Sequence, residues 1–261
     1  MAQTLPARPD IDWLKKTFAT KVTVPKLLVT GCSAGGAGGF INYHFIRSGL
    51  GSGAQCSYLL DDSGPIFHSD GPSKQLHEKI RSAWNIDPIL DSLEGQLPVK
   101  AADLKADFGL MNVALAQKYP KDRLSLVAYH QDLNYSLYSY QRFFPGSTET
   151  DIHTKWWTDM TELMKTYDGQ KNLAYYLPFW RDDNCSHCVS IPPIGNPPLE
   201  PTDQGKAISK PWLGSEIPQL SIDLKQFTTD LLDDTKPLKS YVQDPQPSEA
   251  FTPAISAQCM Q

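Results

Sequence analysis

No stretch of the sequence concentrates lysine and arginine, and the formal net charge is −5 over 261 residues. A nucleic-acid binder needs a basic stripe to neutralise phosphates, so that class is disfavoured. No apolar run approaches the roughly 20 residues of a membrane-spanning helix, so no membrane role is expected. The opening residues, MAQTLPARPDIDW, lack the apolar core that marks a secretory leader. No internal repeat is visible, which argues against a solenoid. Cysteine is scarce: Cys32, Cys56, Cys185, Cys188 and Cys259. An odd count leaves at least one thiol unpaired within the chain. Cys32, which ends an apolar run, is expected to be the free one. A pairing of Cys259 with Cys188 or Cys185 would imply a secreted or periplasmic location.

What is present is a soluble, core-forming composition, with 40% hydrophobic and 20% charged residues. One domain over 1–261 is expected. Its proline- and glycine-rich stretch at 189–214 reads as a surface loop near a site, and 244–261 reads as an irregular tail. Apolar, β-branched runs predict strands at Pro25–Thr30, Ser57–Asp61, Leu124–Tyr129 and Leu173–Phe179. Helical spacing predicts helices at Gly36–Arg47, Ser73–Trp84, Ala102–Lys118, Thr150–Thr166 and Gln219–Leu232. PDIDWLKKTF predicts a further helix from Pro9 that packs Ile11, Trp13, Leu14 and Phe18 on the sheet. Strands separated by helices predict an α/β protein with a parallel sheet and flanking helices.

The stretch VTGCSAGGAGG lies where the first strand gives way to the first helix of this alternation. Gly31-x-Ser33-x-Gly35 at a strand-to-helix junction is the setting of a nucleophile elbow. There a serine sits on a tight turn and small neighbours let strand and helix approach. The plain alternative is a glycine-rich turn capped by Ser33. In an α/β-hydrolase-like sheet the acid and then the histidine come after the serine, each beyond the carboxyl end of a strand. YHQDLNYS offers Asp132 after the third strand, and WRDDNCSHC offers His187 after the fourth. His187 would take the Ser33 hydroxyl proton, and Asp132 would orient the imidazole. His130 is a fallback base; Asp182 and Asp183 are fallback acids. His44, His68, His77 and His153 fall on predicted helices or loops and are expected to be solvated. Cys185, His187 and Cys188 offer three zinc ligands at cramped spacing with no fourth in view. No metal or cofactor is therefore expected.

LLVTGCSAGG, YLLDDSGPIF and CSHC together resemble the pectin acetylesterase family, which includes the carboxylesterase Notum. The elbow, the Asp62-Ser63-Gly64 element and the cysteine-flanked His187 match residue by residue. CSHC is one residue shorter than the plant-type spacing, and His130 and Gln131 intervene before Asp132. The resemblance implies hydrolysis of carboxylic esters, with O-acetyl groups on plant polysaccharide such as pectin as leading substrate. It also implies an upstream glycine-rich turn that supplies oxyanion amides. None of the residues before Pro25 match it, so the fold is expected to lack the N-terminal strands of a full α/β-hydrolase. Ala34 N–H is one expected oxyanion donor. The second is unassigned, with the amides around Gly35, Gly64 and Gly195 as the next places to look, and weak esterase activity is expected.

Aromatic residues near the strand ends, chiefly Tyr129 and Trp180, are candidate substrate contacts. Trp156 and Trp157 are better explained as core. Arg142, Lys155 and Arg181 can offset the negative net charge if the substrate is polyanionic. Three rivals stand beside this reading. One is a non-catalytic carbohydrate- or partner-binding homologue, the second a polyester or lipid esterase, and the third a zinc-stabilised binding protein.

Overall fold

The structure is a computed structural model, described here for residues 9–19, 24–50, 54–179, 186–190 and 216–243. Its centre is a parallel five-stranded sheet. The strands are β1 (Val24–Cys32), β2 (Ala54–Asp62), β3 (Arg123–Val127), β4 (Leu173–Leu177) and β5 (Tyr241–Val242). They stand side by side in chain order. Among the described residues, β1 is one edge and β5 the other. The register aligns Cys32 with Asp62 and Asp62 with Val127, so the carboxyl ends of the first three strands lie level.

Each step from β1 to β4 moves one place in the same direction. Right-handed crossovers then put the intervening helices on one face. These are α2 (Ala34–Leu50), α3 (Lys74–Ala83), α4 (Asp87–Ser92), α5 (Ala101–Ala106), α6 (Leu110–Lys118), α7 (Leu133–Ser136) and α8 (Glu149–Asp168). They come after α1 (Pro9–Leu14), and α9 (Leu224–Leu231) lies late in the chain. Alternation along the strands supplies both faces of the sheet. Leu59, Leu124, Leu126, Tyr175 and Leu177 join Phe40, Leu115, Trp156 and Met160 in the larger core. Tyr58, Leu60, Val127, Tyr129, Ala174 and Tyr176 meet Ile217, Leu224, Phe227 and Leu231 of the smaller one.

Four expectations change at this level. The helix predicted over Ala102–Lys118 is two helices broken at Asp107–Gly109. The Asp107 carboxylate accepts the Ser69 N–H (2.9 Å) and the Gly109 N–H (3.0 Å), and Gly109 presses on the His68 backbone, where a Cβ would lie 2.7 Å from Cα. The helix predicted over Gln219–Leu232 begins only at Leu224, because Asp223 caps it through the Gln226 N–H. Trp13 does not pack on the sheet; it is 59% exposed, edge-on to Phe18. His44, His77 and His153 are buried rather than solvated. His44 is held between Gln96 and Tyr119, and the less buried His68 between Asp107 and Thr166.

Candidate active site

Ser33 sits between β1 and the 17-residue helix α2 with a left-handed backbone, φ 56°. A non-glycine residue rarely adopts that conformation, and here two backbone bonds impose it. Ser33 N–H donates to the Asp62 carbonyl at 2.7 Å, and Ala37 N–H donates to the Ser33 carbonyl at 3.0 Å. The turn is so tight that a Cβ on Gly31 would lie 2.4 Å from the Gly35 carbonyl oxygen. A Cβ on Gly36 would lie 2.2 Å from Asp61 Oδ1. A Cβ on Gly35 meets nothing within 4 Å. The glycines that the strand-helix crossing demands are therefore Gly31 and Gly36. The final glycine of the motif has room to spare.

Asp132 is fully buried and caps α7. Its Oδ1 accepts the Tyr135 N–H at 2.8 Å, and its Oδ2 lies 2.7 Å from His187 Nδ1. A carboxylate is an acceptor, so Nδ1 carries the proton and Nε2 is left as the basic nitrogen. Burial disfavours the imidazolium of His187. The charge and hydrogen bond of Asp132, with a further contribution from Asp62, outweigh it and raise the His187 pKa above 6.5. Burial raises the Asp132 pKa, against the pull of His187. His130 and Gln131 extend the pairing beyond β3, donating their N–H groups to the Pro178 and Phe179 carbonyls at 2.7 and 3.0 Å. The His130 ring packs on Trp157 with centroids 3.6 Å apart, and it does not line the cleft.

Ser33 and His187 open on one cleft of about 340 Å³. Its walls are Ala34 and Ala37 of α2, Leu76, Ile80 and Ala83 of α3, and Trp84, with Tyr135 and Tyr138 after the acid. Lys79 and Arg142 supply positive charge. Ala34 opens α2, so its N–H and those of Gly35 and Gly36 precede the first intrahelical donor, Ala37. These amides and the positive end of the helix dipole suit a developing oxyanion. The Gly64 N–H is already committed to Asp61 Oδ1 at 3.1 Å.

The expected free thiol at Cys32 is a disulfide with Cys188, Cα to Cα 5.7 Å. It joins the residue before Ser33 to the residue after His187. Of the two pairings weighed for Cys259, the one with Cys188 is thereby excluded, since Cys188 Sγ is already bonded. The same bond removes a thiolate from the zinc alternative, although both sulfurs lie within 4.8 Å of a His187 nitrogen. Tyr129 is also corrected. It is 5% exposed in the smaller core, because alternation turns it to the other sheet face, and it does not line the cleft. Trp156 is core, and Lys155 lies over the Phe144 ring. Trp180, Arg181, Asp182, Asp183, Cys185, Gly195 and Cys259 lie outside the described residues.

Sequence reasoning missed the α3 wall and the role of the end of β2. The signal for the first was the spacing of Leu76, Ile80 and Ala83, four and three residues apart on one helix face. No known protein-family model matches the chain, and comparison with curated proteins and with solved structures finds no match either.

Proposed function

We propose that the chain is a serine carboxylic-ester hydrolase, α/β-hydrolase-like and of the pectin acetylesterase kind. The observation that carries this reading is the hydrogen bond from His187 to Asp132, with His187 lining a cleft that also exposes the left-handed Ser33. Ser33 Oγ attacks the ester carbonyl carbon while His187 Nε2 takes its proton. The C–O bond to the alcohol then breaks, and the alcohol leaves with the proton held by His187. Water, deprotonated by the same nitrogen, attacks the acyl-serine and frees the acid and Ser33. Asp132 keeps Nδ1 protonated and stabilises the imidazolium, and Ala34 N–H donates to the oxyanion, joined by the next amides of α2. No metal or cofactor enters this chemistry. O-acetyl groups on plant polysaccharide such as pectin are the substrate we favour, with Lys79 and Arg142 available to an anionic chain. The disulfide fits a secreted or periplasmic location.

A polyester or lipid esterase is the second reading, favoured by the apolar wall of Leu76, Ile80, Ala83 and Trp84. The decisive experiment treats the protein with a fluorophosphonate and maps the adduct. Labelling at Ser33, with loss of nitrophenyl acetate hydrolysis in both the labelled protein and Ser33→Ala, supports an esterase. Full activity in Ser33→Ala refutes it. Relative turnover of acetyl and octanoyl esters separates the two substrate readings.

A further inference from the structure

The segment from Ser186 to Ser190 pairs with no strand of the sheet, so its backbone amides need partners from elsewhere. They converge on the end of β2. Cys188 N–H donates to Ser63 Oγ at 3.0 Å. Val189 N–H donates to Asp62 Oδ1 at 2.9 Å. Ser190 N–H and its hydroxyl donate to Asp62 Oδ2 at 2.9 and 2.5 Å. Ser63 Oγ in turn donates to Asp62 Oδ1 at 3.1 Å. Four donors therefore meet one fully buried carboxyl group. Burial pushes the Asp62 pKa up, and this donor set works against it by favouring the ionised form, since a protonated oxygen would need an acceptor. Ser63 is itself fixed, with φ 58° and its N–H on the Val127 carbonyl at 2.7 Å.

We propose that Asp62, with Ser63, is a positioning residue for the base: the two together grip three consecutive amides of the loop that carries His187, and Asp62 adds a negative charge near the imidazole. The proposal rests on the esterase reading of Ser33, His187 and Asp132. Asp62 does not line the cleft and touches no substrate. It acts through the loop, where the disulfide fixes only Cys188. The charged groups about His187 are Asp132 at Nδ1 and Asp62 at the end of β2. Lys79 from α3 and Arg142 from the turn after Leu137–Gln141 share the cleft with it, beside Tyr138 and Tyr135, whose hydroxyl donates to the Pro65 carbonyl. Of these, both carboxylates favour the imidazolium.

Asp62→Asn keeps the size and one acceptor, but removes the charge and turns an NH2 toward donors. For nitrophenyl acetate, kcat is expected to fall on the order of 10²-fold, as for a misplaced catalytic group, with KM within about twofold. The His187 imidazole, monitored by NMR, is expected to titrate at lower pH than in the unsubstituted protein. A folded Asp62→Asn protein lacking either effect overturns the proposal. Should Asp62→Asn not fold, Ser63→Ala carries the test. A roughly tenfold fall in kcat at constant KM, about the loss of one oriented hydrogen bond, supports the proposal, and unchanged kcat overturns it. The NMR titration needs no turnover. If Ser33→Ala shows the esterase reading to be wrong, a lowered His187 titration in Asp62→Asn still supports the Asp62 grip, and an unmoved one overturns it.

Discussion

Strands β1 and β3 end level in the sheet, yet they live in opposite surroundings. All five residues of β3 are buried, as are all five of β4. Along β1 only Val29 is buried, and Leu28 is 40% exposed at the sheet edge. Asp132 lies just past the buried strand and is itself fully buried. Ser33 lies just past the edge strand and is half-exposed. The acid is thus fixed by the density of the core, whereas the serine turn is fixed by local devices. These are the crossing at Gly31 and Gly36, the bond to the Asp62 carbonyl, and the disulfide. A parallel sheet ordinarily buries its strands. Here the edge reaches a precise backbone conformation without that help.

The contrast can be broken most severely at the centre. Leu126→Ala empties a site that is 1% exposed, and a stability loss of about 2–5 kcal/mol is expected from denaturant titration. A loss under 1 kcal/mol would mean that β3 is not the rigid element. Next is the covalent tether. Cys188→Ser should cost about 2–4 kcal/mol of stability, because the bond closes a loop with a sequence separation of 156. It should also lower kcat more than it raises KM. If kcat and stability are both unchanged, the edge needs no staple.

A smaller effect sharpens the difference in burial. In the proposed mechanism His187 must be neutral to accept the Ser33 proton, and its pKa in the folded protein is raised. The acid limb of kcat/KM should therefore lie above pH 6.5 and fall tenfold per pH unit below it, about 1.4 kcal/mol each. A limb at or below 6.5 would show that burial, rather than Asp132, dominates at His187. The least effect is expected at Leu28→Ala, within about 0.5 kcal/mol on thermal or chemical unfolding. A large loss there would reveal that the edge strand is covered in solution.

Much of the sheet was legible because apolar β-branched runs mark buried parallel strands directly. Pro25–Thr30 lies within β1, and Leu124–Tyr129 overlaps β3 but runs past its end at Val127. The polar residues just beyond the strands singled out Ser33, Asp132 and His187, and the structure brings Asp132 and His187 into contact. Strand β5 was not, since the two residues Tyr241 and Val242 are too few to show a period. The break at Asp107 depends on Ser69 and His68, 38 and 39 residues earlier, which no local window contains. The buried histidines were misjudged by residue type, and Tyr129 by position alone without its strand parity. The Cys32–Cys188 pairing was obscured because each cysteine was weighed in its own segment. The clue was that one adjoins Ser33 and the other His187.

The disulfide also decides which nucleophiles stand beside His187. A thiol one residue before Ser33 would be a softer and intrinsically stronger nucleophile than a hydroxyl. Oxidised to Cys188, that sulfur has no thiolate to offer, which leaves the Ser33 hydroxyl to share the cleft with His187. Under a strong reductant Cys32, Ser33 and Cys188 would present one hydroxyl and two thiols near a single imidazole. On the esterase reading proposed above, selectivity between hard acyl or phosphoryl groups and soft alkyl halides would then depend on the solution's redox state as much as on the fold.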